Sequence, residues 1–206
     1  QAEQKPATAL VPPYAGLTSG ALFTDNDSVK AKQLFEEALK ENGWSRSEFP
    51  PVTITYSNSE RYHRVAQAVQ QQWQRVLEVP IQLQQLDSQI ANSNLQQGKF
   101  QVALGSWFAD TNDPINFLEV FKHRDNGTNN TGWENSQYQE LLNASAMETD
   151  LLRRNQLLYR AEKVLMEDMP IVPINYFTFS YLQKNKVKDV YFSEMGFVDF
   201  KNAWID

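Results

Sequence analysis

Between residues 52 and 86 the spacing of apolar side chains changes twice, and this change restricts the fold more than any other feature of the chain. Val52, Ile54 and Tyr56 alternate with Thr53 and Thr55, the period of two that puts one set of side chains on one face of a strand. Tyr62, Val65, Ala66, Val69, Trp73, Val76 and Leu77 then recur at the helical period and mark one stripe of a long helix that Pro80 ends. Ile81, Leu83 and Leu86 restore a strand. Strand, helix, strand predicts a right-handed crossover joining two parallel strands. A shorter helix near 88–97 leads through Gly98 into a third strand, 100–107, whose VALGSW core is apolar enough to be buried in a sheet. The expected fold class is α/β.

The flanks are organised differently. Residues 1–20 hold Pro6, Pro12 and Pro13 and no helical period, so they read as an extended lead-in. Ala31, Leu34, Phe35, Ala38 and Leu39 predict a helix over 28–42, with Asp27 or Ser28 as its cap and Gly43 just past its end. Two polar segments, 110–114 and 123–132, read as turn and loop. Two helices are predicted beyond them, 136–147 and 150–167, the second with Leu151, Leu158, Ala161, Val164 and Leu165 on its inner side. Residues 174–182 read as a strand, and the last 20 residues as short aromatic strands.

Composition excludes several functions. The 206 residues are 41% apolar with no run of about 18 uninterrupted apolar residues, so no transmembrane helix is expected, and the first 30 residues lack the order of a signal peptide. Nineteen basic against 25 acidic residues give a formal charge of −6, which argues against a nucleic-acid or anionic-membrane surface and favours a cationic or zwitterionic small partner. The absence of cysteine removes disulfides, iron–sulfur clusters and thiol nucleophiles, and leans towards an oxidising compartment. His63 and His123 stand 60 residues apart without an HExxH pattern, so no metal site and no cofactor is expected. No GxSxG, GxxxxGK[ST] or GxGxxG occurs. Glu36/Glu37 and Glu167/Asp168 read as solvated helix faces, and no catalytic residue is assigned.

The segment Gly105-Ser-Trp-Phe-Ala-Asp-Thr-Asn-Asp-Pro114 has the most to explain. It carries Asp110 to the carboxyl edge of a parallel sheet, where open α/β folds place ligands. With Trp107 and Phe108 beside it, the carboxylate can pair with a ligand ammonium while the rings exclude water. The competing reading has Asp110 capping the helix that Pro114 begins and Trp107 in the core.

Eight stretches, in order, carry a resemblance to a known family: ALVPPYAG, KENGW, VTITYSNSE, QAVQQQWQRVLEVPIQLQQLD, GKFQVALGSWFADTNDPINFLEVF, NNTGWENSQYQELLNAS, RRNQLLYRAEKVLMEDMPIVPINYF and DFKNAWID. The chain resembles the large extracytoplasmic solute-binding proteins of ABC peptide importers, the oligopeptide- and dipeptide-binding group. Members are longer and fold as two lobes enclosing the ligand, and this chain resembles the C-terminal lobe alone. The fold implied is a periplasmic-binding-protein-like lobe, a mixed and largely parallel sheet flanked by helices. Residues 1–20 then correspond to a hinge-side lead-in, 21–190 to the ligand-binding lobe, and 191–206 to a terminal strand returning towards the missing N-terminal lobe.

The resemblance implies a non-catalytic function, capture of oligopeptides between two lobes and delivery to an ABC permease, by a monomer. Its compartment would be periplasmic or otherwise extracytoplasmic, with the full-length precursor either free or lipid-anchored. Asp110 aligns with the acidic residue that pairs with a peptide's α-ammonium group. Ser106 and Phe108 align with positions whose backbone pairs with the extended ligand, and Trp107 with an aromatic lining a side-chain pocket. The arginines that some oligopeptide binders place before this motif are absent here, where Lys99 is the nearest cation. Relatives similar in sequence that bind metal chelates, haem, glutathione or cell-wall peptides supply the alternative ligand, and Asp110 as a general base supplies an enzymatic one. A lobe alone is expected to bind weakly, because enclosure needs two walls.

Overall fold

A computed structural model describes residues 4–17, 20–193 and 195–206. In chain order its elements are β1 (Lys5–Pro6), α1 (Ser28–Glu41), β2 (Val52–Ser57), α2 (Glu60–Leu77), β3 (Ile81–Leu86), α3 (Ser88–Gln96) and β4 (Val102–Ala103). They continue with α4 (Ile115–Leu118), α5 (Ser136–Met147), α6 (Leu151–Asp168), β5 (Asn175–Tyr176), β6 (Val187–Lys188), β7 (Tyr191–Phe192), β8 (Val198–Asp199) and β9 (Trp204–Ile205). The chain forms two compact units. One comprises Asn26–Ser106 with Gly127–Gly132; the other comprises the residues up to Asp25, Trp107–Asn126 and Trp133–Asp206.

The first of these is the α/β unit. Its sheet is parallel, in the order β3-β2-β4, with Val52 opposite Ile81 and Ile54 opposite Val102. The central strand is sealed on both faces, so Ile54, Thr55 and Tyr56 are all buried despite their alternating chemistry. The stripe of α2 packs Tyr62, Val69, Trp73 and Leu77 against the cluster of Ile54, Tyr56 and Ala66. The helix ends where Glu78 turns left-handed (φ 58°) and its N–H bonds the carbonyl of Gln74, two residues ahead of Pro80. The edge strand β3 is tied back to the helix, since Gln70 Nε2 donates to the Ile81 carbonyl at 2.8 Å.

The third strand is shorter than its apolar run predicts. The ladder covers Val102 and Ala103, one further bond runs from Leu104 N–H to the Thr55 carbonyl (2.9 Å), and Gly105 and Ser106 are exposed. β4 has a neighbour on one side only, and the next two residues bring no apolar side chain to hold a buried face, so pairing stops.

The second unit is built on α5 and α6. Leu118, Tyr138, Leu142, Leu158, Ala161 and Leu165 are fully buried in its core. Leu151 is 73% exposed, against expectation, because it sits in the first turn of α6, ahead of the stripe that begins at Leu158. Glu162 is also fully buried, and its Oε1 accepts the Val11 N–H at 2.7 Å, which fixes the early segment against α6. β1 pairs antiparallel with β5, and Tyr176 Oη donates to the Ala9 carbonyl.

The strand expected over 174–182 reduces to Asn175–Tyr176. Beyond it the aromatics find rings in place of a neighbouring strand: Phe177 stacks on Phe108, and Tyr181 stacks on Phe192 at 3.7 Å. The terminal aromatic strands form two antiparallel ladders, β7 with β8 and β6 with β9. Gly196 is required here, since its φ is +85° and a Cβ would run into the Phe179 ring.

Candidate functional site

The boundary between the two units falls between Ser106 and Trp107, so the four residues predicted from sequence divide between them. Ser106 closes the α/β unit. Its Oγ lies 2.8 Å from the hydroxyl of Tyr62 on α2, and its backbone is exposed. Trp107, Phe108 and Asp110 open the segment of the helical unit that leads to α4. From Gly105 to Phe108 no backbone N–H or C=O makes a hydrogen bond among the described residues. Exposed and without a backbone partner among the described residues, these N–H and C=O groups are open to a partner.

Trp107 is 37% exposed and donates its indole N–H to the Asn116 carbonyl at 3.0 Å, so it is held at the surface and is no core residue. Phe108, half exposed, stacks on Phe177 with centroids 4.9 Å apart and planes 22° apart, and Phe179 lies tilted at 6.4 Å. Ala109 is buried between the exposed Phe108 and Asp110. Among the described residues the Asp110 carboxylate accepts no hydrogen bond and forms no ion pair; only its backbone N–H is engaged, by Asn116 Oδ1 at 3.0 Å.

The capping reading of Asp110 is replaced by a different residue. Asp113 Oδ1 accepts the Ile115 N–H at 2.9 Å at the start of α4, and Arg154 of α6 donates to the same oxygen at 3.0 Å. Sequence reasoning missed Asn116, Asp113 and Arg154. A signal for Asn116 existed, a lone amide inside the apolar run Ile115-Asn-Phe-Leu118, as did one for Asp113, an Asp immediately before the Pro that begins a helix. Nothing local pointed to Arg154, which is 41 residues from its partner.

The titratable groups of this unit are tuned within its core. The Tyr138 hydroxyl, fully buried, donates to the Leu118 carbonyl at 2.6 Å; burial first, and then the negative charges of Glu162 and Glu119, push its ionisation far above the ordinary phenol range. Tyr176 is pushed up to about 12 by burial and by Glu162, against a smaller opposing effect of its bond to Ala9. Histidines occupy structural places: His63 Nδ1 lies 2.7 Å from the Tyr56 hydroxyl, and His123 lies 3.9 Å from Glu134.

Comparison with known proteins identifies the scaffold. The chain is 38% identical over 208 residues to the oligopeptide-binding protein of Bacillus subtilis, covering 99% of this chain and 38% of that protein. It is 33% identical over 213 residues to the dipeptide-binding protein of the same organism, covering 98% of this chain and 38% of the relative. The chain therefore spans 38% of the length of each of these relatives. A crystal structure of a periplasmic oligopeptide-binding protein from Borrelia burgdorferi superposes with a TM-score of 0.79 at 28% identity, covering 90% of this chain and 37% of that one. The profile described as bacterial extracellular solute-binding proteins, family 5, middle region, matches residues 1–129. With the periplasmic-binding-protein α/β fold and relatives aligned over nearly its whole length, the chain belongs to the family 5 bacterial extracellular solute-binding proteins.

Proposed function

We propose that this chain is the C-terminal lobe of a two-lobe receptor that captures oligopeptides and delivers them to an ABC permease without catalysing any reaction. One observation carries the reading: an exposed, unpaired backbone from Gly105 to Phe108 runs directly into Asp110, whose exposed carboxylate has no partner among the described residues. Extended backbone and a terminal ammonium are common to all peptides, so a site built from main-chain pairing and one carboxylate tolerates any sequence. Ser106 and Phe108 supply main-chain partners, Trp107 lines a side-chain pocket, and Asp110 takes the ammonium. The second wall comes from the N-terminal lobe, with residues 1–20 and 191–206 serving as its connections. The receptor acts as a monomer outside the cytoplasm, in the periplasm or on a lipid anchor. The relatives named above, one for oligopeptides and one for dipeptides, support this ligand class.

The test is calorimetric titration of the full-length receptor with a pool of short peptides, free and N-acetylated, before and after Asp110→Ala. Free peptides bind and acetylated ones lose affinity, and Asp110→Ala removes the difference. Equal binding of both pools to the unmodified receptor would refute the ammonium-carboxylate pairing.

A further inference from the structure

Resting on the reading of residues 107–110 as a ligand contact, we propose that Arg154 is a positioning residue for that contact, acting through Asp113 and Asn116. The connection is a continuous set of hydrogen bonds within one unit. α6 is the fixed element, with Leu158, Ala161 and Leu165 fully buried in the core. From its first turns Arg154, one-fifth exposed, reaches Asp113 Oδ1 at 3.0 Å, and the same oxygen accepts the Ile115 N–H at 2.9 Å. The Asp113 carbonyl takes the Asn116 N–H at 3.1 Å. Asn116 then holds both ends of the contact segment: its Oδ1 accepts the Asp110 N–H and its carbonyl accepts the Trp107 indole N–H, each at 3.0 Å.

This arrangement supplies what the segment lacks. Among the described residues no backbone hydrogen bond fixes 105–108, and the ladder that would have done so stops at Ala103, so the direction of Asp110 is set by Asn116. Asn116 sits in a four-residue helix, too short to be rigid alone, and the ion pair ties that helix to α6. A carboxylate aimed by a supporting layer of hydrogen bonds binds more selectively than one on a loose loop.

The position effect and the charge effect of Arg154 have opposite signs, which makes the proposal testable. Removing the guanidinium leaves Asp113 unneutralised three residues from Asp110, and charge alone would then strengthen the attraction for an ammonium group. Loss of positioning weakens it. In the full-length receptor, titrated with short peptides in free and N-acetylated form, Arg154→Met is expected to lower affinity for the free pool by about tenfold, the scale of one lost hydrogen bond to a charged group, and to shrink the ratio of free to acetylated affinity. Arg154→Lys restores most of that ratio, because a single N–H···O contact is what must be replaced.

If Arg154→Met keeps the ratio or tightens free-peptide binding while Asp110→Ala abolishes it, the positioning role is wrong and the ligand reading stands. If Asp110→Ala itself leaves the ratio unchanged, the ligand reading falls and takes this inference with it. Should Arg154→Met fail to fold by circular dichroism, Asp113→Asn is read by the same ratio, since it removes the ion pair but keeps an oxygen for the Ile115 N–H.

Discussion

Replacing Tyr138 by Phe removes one oxygen and leaves the ring in place, so it isolates a single buried hydrogen bond. Tyr138 is fully buried, its ring meets Trp133 edge-on at 5.0 Å, and its hydroxyl donates to the Leu118 carbonyl at 2.6 Å. At neutral pH the substitution loses the net worth of that bond, about 1–1.5 kcal/mol. The cost is pH-dependent. An unfolded tyrosine ionises near pH 10, whereas burial and the charge of Glu162 hold the folded Tyr138 protonated well beyond that. A raised folded value means the stabilisation is complete below the unfolded pKa and is lost as pH climbs above it. One unit above that value, at about pH 11, ionisation of the unfolded chain draws off about 1.4 kcal/mol from the parent and nothing from the Phe variant. The two proteins should therefore differ by about 1–1.5 kcal/mol at pH 7 and be nearly equal at about pH 11. Tyr176 is present in both and cancels. Urea unfolding followed by circular dichroism at the two pH values measures the difference, and a gap of the same size at both would refute the linkage.

Leu158→Ala is expected to destabilise the helical unit by about 3–5 kcal/mol, because the leucine is fully buried between α6 and the rest of the core; a loss under 1 kcal/mol in urea unfolding would mean that the site collapses or is not core. Glu48 is held below the usual carboxylate range by the Ser45 hydroxyl first and the Ser45 backbone N–H second. Its contribution is present above the unfolded carboxylate pKa and lost as pH falls through the folded one. Ser45→Ala should therefore raise the Glu48 midpoint in an NMR titration, and an unmoved midpoint would show that the hydroxyl does not hold it.

Legibility in the sequence followed the distance over which each feature is encoded. The helices over 28–41, 60–77, 88–96, 136–147 and 151–168 were readable within a residue or two, because the helical period that marks each lies within its own span. So was the crossover at 52–86, where alternation and helical spacing abut. The overlong strands had different causes. VALGSW stops pairing where Gly105 and Ser106 bring no apolar side chain, whereas INYFTFSYL is apolar enough for a sheet but its rings meet other rings: Phe177 found Phe108, and Tyr181 found Phe192. In the candidate site, chemistry and resemblance singled out Asp110, Trp107, Phe108 and Ser106, and the structure exposes all four. Asn116 was passed over despite its local signal, and Arg154 was out of reach, because a hydrogen bond to Asp113 from 41 residues away leaves no trace in local spacing.

Under the proposed function, a strand that paired with β2 through Trp107 would have consumed the N–H and C=O groups that a peptide would need, so a binding edge would have to stop pairing before the ligand position. Gly105 and Ser106 do that by bringing no apolar side chain to a buried face. Released backbone is then unconstrained, and an unconstrained carboxylate discriminates poorly, because ordering it on binding consumes part of the interaction free energy. The constraint therefore has to come from outside the sheet. It is supplied by Asn116 on a helix of four residues and, behind it, by Arg154 on a helix of 18. On this reasoning the free edge and the polar clamp are one device. Asn116→Ala, which removes the side-chain acceptor of the Asp110 N–H, should erode selectivity for free amino termini in the same direction as the loss of Arg154.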